Sequence, residues 1–126
     1  MATTAVGMSK RTLVQALTGS AAFFGITGVL APRMLGAAYD VPSSPHTTQL
    51  LRLFGSRTLA LAAWSSTART KEETDRVLAV SAGMNAIDVL TALASARGMG
   101  GSTAARAAAT SATFAALALV VRSLED

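Results

Sequence analysis

The sequence lacks cysteine and contains a single histidine, His46. The absence of cysteine excludes disulfides, thiolate metal sites and cysteine nucleophiles. A lone imidazole does not supply the second protein ligand that a metal or haem site needs. We therefore predict no metal and no cofactor, and we expect His46 to be a solvent-exposed residue in a loop.

Charged and aromatic residues are also scarce, at 14% and 5% of the 126 residues, whereas 51% are hydrophobic. This composition differs from that of an ordinary soluble domain. The apolar residues are mostly alanine, which favours closely packed helices. The net charge of +4 comes from scattered lysine and arginine residues rather than from a basic run. It indicates contact with anionic membrane lipid and argues against nucleic-acid binding.

Four apolar segments predict an all-α fold, an integral-membrane four-helix bundle that forms one domain over residues 1–126. The expected spans are 12–34, 47–67, 74–96 and 103–122. The first span includes an uncharged run, Thr12–Pro32, that is long enough to cross the hydrocarbon region. The alternative for this run is a cleaved signal peptide, but the run is longer than a typical signal-peptide core. The fourth segment reaches spanning length only if its first turn is helical and Arg106 extends to the headgroups.

Local sequence signals predict where the helices begin and end. Pro32 lacks an N–H and is expected to end or kink the first helix. Thr47 or Thr48 is expected to cap the second helix by accepting a hydrogen bond from a free backbone N–H. Thr70 and Glu73 have the spacing of a capping box at the start of the third helix.

The distribution of basic residues predicts the orientation of these spans. Four spans place both termini and the 68–76 turn on one face of the membrane. Six basic residues belong to that face: Lys10, Arg11, Arg69, Lys71, Arg76 and Arg122. The other face carries Arg33, Arg97 and Arg106, with Arg52 near a helix end. Because cytoplasmic loops are enriched in Lys and Arg, both termini are predicted to be cytoplasmic.

Two charged residues lie deep within the second and third predicted helices. A lone charge at the bilayer centre costs about 2.5–3.5 kcal/mol, so Arg57 and Asp88 are each expected to need a partner. In an antiparallel hairpin Asp88 lies about 3 Å from the level of Arg52 and about 4–5 Å from that of Arg57. Arg57 is the preferred partner because Arg52 is close enough to the interface to reach water. Asn85 lies one turn before Asp88 and is expected to accept from the remaining guanidinium donors.

The interpretation of this candidate site is open between two alternatives. A buried ion pair often fixes the register of two helices and does nothing more. The same residues equally suit a proton relay, a pocket for a polar ligand group or a contact with a partner protein.

Small residues recur along the first predicted span, notably Ala21, Gly25 and Gly28. Small residues spaced by three positions allow the backbone of a neighbouring helix to approach closely. We therefore predict that this face packs against another helix, and we hypothesise that it mediates assembly with a second membrane subunit or a second copy of the chain.

The segments Pro32-Arg33-Met34-Leu35-Gly36 and Arg52-Leu53-Phe54-Gly55-Ser56-Arg57-Thr58-Leu59-Ala60-Leu61 resemble those of the small four-helix DoxX-like membrane proteins. The recurring pattern in that family is Gly-x-Arg followed by a run of small residues and leucine in helix two, with an acid in helix three. Gly55, Arg57 and Asp88 match this pattern. The resemblance implies a four-helix fold and no established activity.

The sequence therefore leaves several functions open for a multi-pass protein of the inner or plasma membrane. The first hypothesis is an accessory or assembly subunit of a membrane complex or homo-oligomer. The alternatives are a cofactor-free membrane enzyme and a carrier of a lipid or quinone-like ligand, both with a polar pocket at Arg57 and Asp88. Membrane lipid and other membrane subunits, or the chain itself, are the expected partners.

Overall fold

The computed structural model describes residues 3–125. A small antiparallel hairpin comes first, formed by β1 (Thr4–Ala5) and β2 (Met8–Ser9). Four long helices and two short ones follow: α1 (Lys10–Leu30), α2 (Pro32–Ala38), α3 (Pro45–Thr67), α4 (Lys71–Ala94), α5 (Ala96–Met99) and α6 (Gly101–Ser123). The prediction of an all-α protein is confirmed. The four long helices occupy the four predicted segments, whereas α2 and α5 were not predicted.

Three of the long helices, α1, α4 and α6, are long and apolar enough to cross a membrane. Large apolar side chains are exposed on their outer surfaces, including Phe23, Leu90 and Leu119 at 67%, 68% and 56%. Soluble monomers rarely expose apolar side chains to this extent, which supports a membrane protein. Helix α3 has 23 residues but is not among the three, because arginine and glutamine side chains interrupt its apolar sequence.

The helix ends follow the sequence closely, with one correction. Helix α1 ends at Leu30, and Pro32 occupies the first position of α2, as its missing N–H favours. The capping box at the start of α4, in which the Thr70 side chain accepts from the Glu73 N–H, is confirmed. The prediction for α3 was wrong by one turn. Its cap is Ser44, with Pro45 following, and Thr47 completes the box from the third helical position.

The long helices pack as two pairs. Helix α1 lies against α3, and α4 lies against α6, while α3 and α4 contact each other much less. The apolar hairpin expected between α3 and α4 is therefore not the main packing unit. At one end of the molecule the pairs meet in an apolar cluster of Leu78, Ala82, Ala118 and Val121, against which Leu13, Val14 and Leu17 of α1 pack.

The α1–α3 contact depends on three buried glycines. A Cβ added to Gly28 would lie 2.9 Å from the Gly55 Cα, and one added to Gly25 would lie 2.6 Å from the Leu59 Cγ. A Cβ on Gly55 would in turn lie 2.7 Å from the Gly25 carbonyl oxygen. Such distances leave no room for a side chain at any of the three positions, so glycine sets the closeness of the two helices.

Candidate functional site

The predicted contact between Arg57 of α3 and Asp88 of α4 is present. The Arg57 Nη2 donates to the Asp88 Oδ2 at 2.5 Å, and its Nη1 donates to the Oδ1 at 3.3 Å. Two parallel bonds between a guanidinium and a carboxylate hold both groups in one plane. The predicted preference of Asp88 for Arg57 over Arg52 is therefore confirmed, whereas the functional role of the pair stays a prediction.

The immediate surroundings of Arg57 differ from the predicted ones. The Phe54 ring, one turn earlier on α3, has its centroid 5.9 Å from the Arg57 Cζ and adds a cation–π contact. Asn85 does not accept from the guanidinium among the described residues, and its Nδ2 donates to the Ser81 carbonyl oxygen at 2.9 Å. The Arg57 Nε is buried without a hydrogen-bond partner among the described residues.

Arg52, predicted as an outer member of the same site, lies elsewhere. It is exposed and lines a separate polar pocket with Arg33. The predicted group of four residues is thus divided: Arg57 and Asp88 form the pair, Asn85 lies near them without bonding Arg57, and Arg52 belongs to a different surface. Arg52 lies in the second turn of α3, from which its long side chain still reaches the headgroup region at little cost.

A cavity of about 710 Å³ lies between the two helix pairs, and Arg57, Asp88 and Asn85 all line it. The side-chain exposures of 38% for Arg57 and 26% for Asp88 show that the ion pair is only partly covered by protein. Most of the wall is apolar, with Phe24, Leu61, Phe114 and Ala118 among the lining residues. Small hydroxyl side chains add polar groups to the wall, among them Thr18, Thr58, Ser81, Thr110 and Ser111. The cavity is therefore mostly apolar, with one charged pair in its wall.

Outside the cavity, a buried lysine joins three of the long helices, although its position in the sequence indicated only a charge at the membrane face. Lys10 is only 1% exposed. Its Nζ donates to the Asp75 Oδ1 at 2.5 Å, to the Leu124 carbonyl oxygen at 2.8 Å and to the Arg122 carbonyl oxygen at 3.3 Å. These three acceptors match the three donors of an ammonium group and join the start of α1 to the start of α4 and the end of α6.

A signal for this contact existed in the sequence. Lys10 directly precedes the first apolar helix, and Asp75 lies in the first turns of α4, so the predicted topology already put both at one membrane face. The carbonyls at the end of α6 lack partners within their own helix and favour a cation. Lys71 also bonds Asp75, at 2.7 Å, but its side chain is 50% exposed.

At one end of the cavity, hydrogen bonds connect α6 with the end of α2 and with the segment that follows it. The Thr103 hydroxyl donates to the Asp40 carbonyl oxygen at 2.8 Å. The Arg106 Nη1 donates to the Ala38 carbonyl oxygen at 3.0 Å, so this arginine, which was expected to extend to the headgroups, also contacts the protein backbone. Polar links therefore connect the two helix pairs at both ends and in the middle.

The small-residue face of α1 is used inside the chain. Gly25 and Gly28 pack against α3, and Ala21 lines the cavity. This agrees with the predicted helix-packing role. It leaves Gly25 and Gly28 inaccessible to a second subunit, so the hypothesis of assembly through this face was wrong.

No family model, curated protein or solved structure matches the chain. The resemblance to DoxX-like proteins therefore stays an expectation from short motifs, and the functional argument rests on the geometry of the site. Within residues 3–125 no three histidine, aspartate or glutamate side chains are grouped so that they would hold a metal ion.

Proposed function

We propose that this protein is a membrane-resident binding protein or carrier for an amphiphilic ligand, a lipid or quinone-like molecule held between the two helix pairs. The observation that carries the proposal is the partly exposed Arg57–Asp88 pair in the wall of an otherwise apolar cavity. The apolar part of the ligand would contact the leucine, phenylalanine and alanine side chains. Its polar group would contact the ion pair.

The dimensions of the cavity support this proposal. Small-molecule sites usually enclose about 300–1,000 Å³ and combine apolar walls with a few polar groups. A volume of about 710 Å³ lies within that range. A membrane ligand would fit such a chamber because its apolar part loses little on leaving the lipid, while the charged pair selects its polar group.

The chemistry of the pair favours binding over catalysis. Only three of the cavity-lining residues are ionisable: Arg57, Asp88 and Tyr39. Arginine keeps its proton under all ordinary conditions, and the carboxylate is engaged by it through both oxygens. A hydroxyl or carbonyl group of a ligand needs only a donor and an acceptor here, whereas general acid–base catalysis needs a group that readily exchanges protons.

A four-span arrangement with cytoplasmic termini is part of the same proposal. Helix α3 is long enough to cross a membrane, and the ion pair removes much of the cost of placing Arg57 in lipid. Six basic residues then lie on the face that contains both termini and the α3–α4 turn.

A substitution that fills the cavity tests the binding proposal. Ala107 lines the cavity from α6, and Ala109 lies two residues later on the exposed surface of the same helix. Ala107→Phe and Ala109→Phe therefore add the same ring to the inside and the outside of the protein. Each variant and the wild type would be purified in mild detergent, and the small molecules extracted from them identified by mass spectrometry.

We expect an amphiphilic molecule to copurify with the wild type and with Ala109→Phe, and to be lost from Ala107→Phe. Equal recovery from all three proteins, with Ala107→Phe folded as judged by circular dichroism, would contradict binding in the cavity. Absence of any copurified amphiphile from the wild type, together with no uptake of added phospholipid or ubiquinone, would contradict it as well.

The accessory-subunit hypothesis takes second place. Its predicted surface is occupied within the chain by Gly55, so a partner would have to contact other faces. The exposed apolar side chains of Leu117 and Val120, three residues apart on α6, form one such face. Native mass spectrometry of the wild type in mild detergent would distinguish a single chain from an assembly.

A further inference from the structure

A second pocket, of about 450 Å³, lies outside the main cavity, where the segment after α2 meets the start of α3. Arg33 of α2 and Arg52 of α3 contribute its charged groups. The remaining polar lining comes from Ser43, Ser44, Thr48 and Gln49. Most of the lining residues are thus polar, in contrast with the walls of the main cavity.

The charge of this pocket is uncompensated. No aspartate or glutamate lines it. Within residues 3–125, the guanidinium groups of Arg33 and Arg52 donate to no side chain and to no backbone carbonyl, and neither forms an ion pair. Arg57, Arg106 and Arg122, in contrast, each donate to a protein acceptor. Two guanidinium groups at one site without an acid favour an anion that the protein does not itself provide.

The start of α3 adds to the positive electrostatic potential of this pocket. This 23-residue helix begins directly after its Ser44 cap. The positive end of its dipole therefore lies beside the pocket residues on either side of the cap. Thr48 and Gln49 supply uncharged donors beside Arg52. The two arginines are the main reason why the pocket favours an anion, and the helix end strengthens this preference.

We propose that Arg33 and Arg52 bind a phosphate group. A tetrahedral phosphate offers several oxygens, and each guanidinium bonds two of them at once with a geometry that lysine does not provide. Arg33 follows the end of α1 and Arg52 lies in the second turn of α3, which places both near the membrane boundary in the proposed arrangement. The phosphate would belong to a phospholipid headgroup or be free in solution. This site is separate from the cavity, and its occupancy does not depend on a ligand there.

The test compares Arg33→Gln/Arg52→Gln with Arg97→Gln/Arg11→Gln. The control pair removes the same charge from two exposed arginines that do not line the pocket. Each protein would be delipidated in mild detergent and titrated with phosphatidylglycerol, or with diacylglycerol of the same acyl chains, and bound lipid counted by native mass spectrometry. A parallel titration with inorganic phosphate would be followed by isothermal calorimetry.

We expect phosphatidylglycerol to bind the wild type and the control at least about tenfold more tightly than the pocket variant, since a hydrogen bond to a charged group is commonly worth a factor of that size. Diacylglycerol should bind all three equally weakly. Phosphate binding that is lost in the pocket variant would identify a free anion as the ligand, and no such binding would identify the headgroup. Equal phosphatidylglycerol affinity in the pocket and control variants, or equal affinity of the wild type for both lipids, would overturn the proposal.

Discussion

Replacing Lys10 tests whether the buried ammonium group holds the two helix pairs together. Lys10→Met keeps the length and most of the apolar volume of the side chain but removes its charge and all three donors. The variant leaves the carbonyl oxygens of Arg122 and Leu124 without their present partner, and it removes one of the two lysines that bond Asp75.

The expected loss follows from burial. Removing one partner of a buried pair commonly costs about 3–5 kcal/mol, because the remaining charge has lost its compensation. Asp75 is 19% exposed and keeps its bond to Lys71 at 2.7 Å, which places the expected loss at the lower end, about 3 kcal/mol. Lys71→Met removes the other bond to the same carboxylate. Because the Lys71 side chain is 50% exposed, its loss should cost less than about 1 kcal/mol.

The two substitutions therefore form a matched pair with one acid in common. Reversible unfolding in mixed micelles of mild detergent and SDS, followed by circular dichroism, gives the free energy of unfolding of each variant. Lys10→Met should lower it by at least about 2 kcal/mol more than Lys71→Met does. Similar small losses in both variants would refute the interpretation of Lys10 as a buried link, and would indicate that this lysine is hydrated in the membrane protein.

Three further predictions concern the ion pair, the glycine contact and the topology. Arg57→Leu and Asp88→Leu should each reduce folded yield, corresponding to about 3–5 kcal/mol for a fully buried pair and less for this partly exposed one, while the double variant should recover much of the loss. Additive losses would argue against direct pairing. Gly55→Ala should lower the free energy of unfolding by about 1–3 kcal/mol because its Cβ would meet the α1 backbone, whereas Gly83→Ala on α4, with open space around it, should raise it by up to about 1 kcal/mol. Cysteines introduced singly at positions 5, 43, 72 and 100 should react with a membrane-impermeant reagent in intact cells only at 43 and 100, and labelling of 72 but not of 43 would contradict the orientation.

The ion pair was predictable because a charge is rare in an apolar helix. Arg57 and Asp88 are the charges deepest in the two segments. Distance from the intervening turn left both Arg52 and Arg57 within reach of Asp88, and the greater depth of Arg57, which cannot reach water, decided between them. Asn85 could not be assigned in this way, because an amide has a local alternative. It bonds the carbonyl oxygen of Ser81 one turn earlier, a choice that depends on side-chain conformation rather than on depth.

The burial of Lys10, in contrast, could not be predicted from the sequence. Counting Lys and Arg at helix ends treats each of them as a solvated charge, which is the usual situation for lysine. The burial of Lys10 depends on where α4 begins and where α6 ends relative to α1, and on two backbone carbonyls that no sequence pattern displays. Such a contact follows from tertiary structure, so it was outside the reach of a periodicity argument.

The packing of α1 on α3 was partly predictable for a related reason. The small residues at Gly25 and Gly28 correctly indicated a close helix contact. They did not identify the partner, since a neighbouring helix of the same chain and a helix of another chain present the same surface. The matching glycine, Gly55, was noted only as part of a family motif. Together, Gly55, Gly25 and Gly28 favour a contact between α1 and α3 of the same chain.

The distribution of these contacts bears on how the proposed ligand would reach the cavity. Three glycines make α1 and α3 a closely packed unit, whereas α4 and α6 form the second unit, and polar links join the two at the ends and at mid-depth. The end links involve backbone carbonyls near the two membrane boundaries in the proposed arrangement, and at one end they bond the buried Lys10 ammonium group. Arg57 and Asp88 are different, because their side chains are partly exposed and an amphiphile that carries both a donor and an acceptor can replace each partner. For the proposed ligand, access between α3 and α4 requires the exchange of one bidentate ion pair for contacts with the ligand. Opening the Lys10 end instead breaks three bonds of a buried ammonium group at once, which favours the ion pair as the path of the proposed ligand.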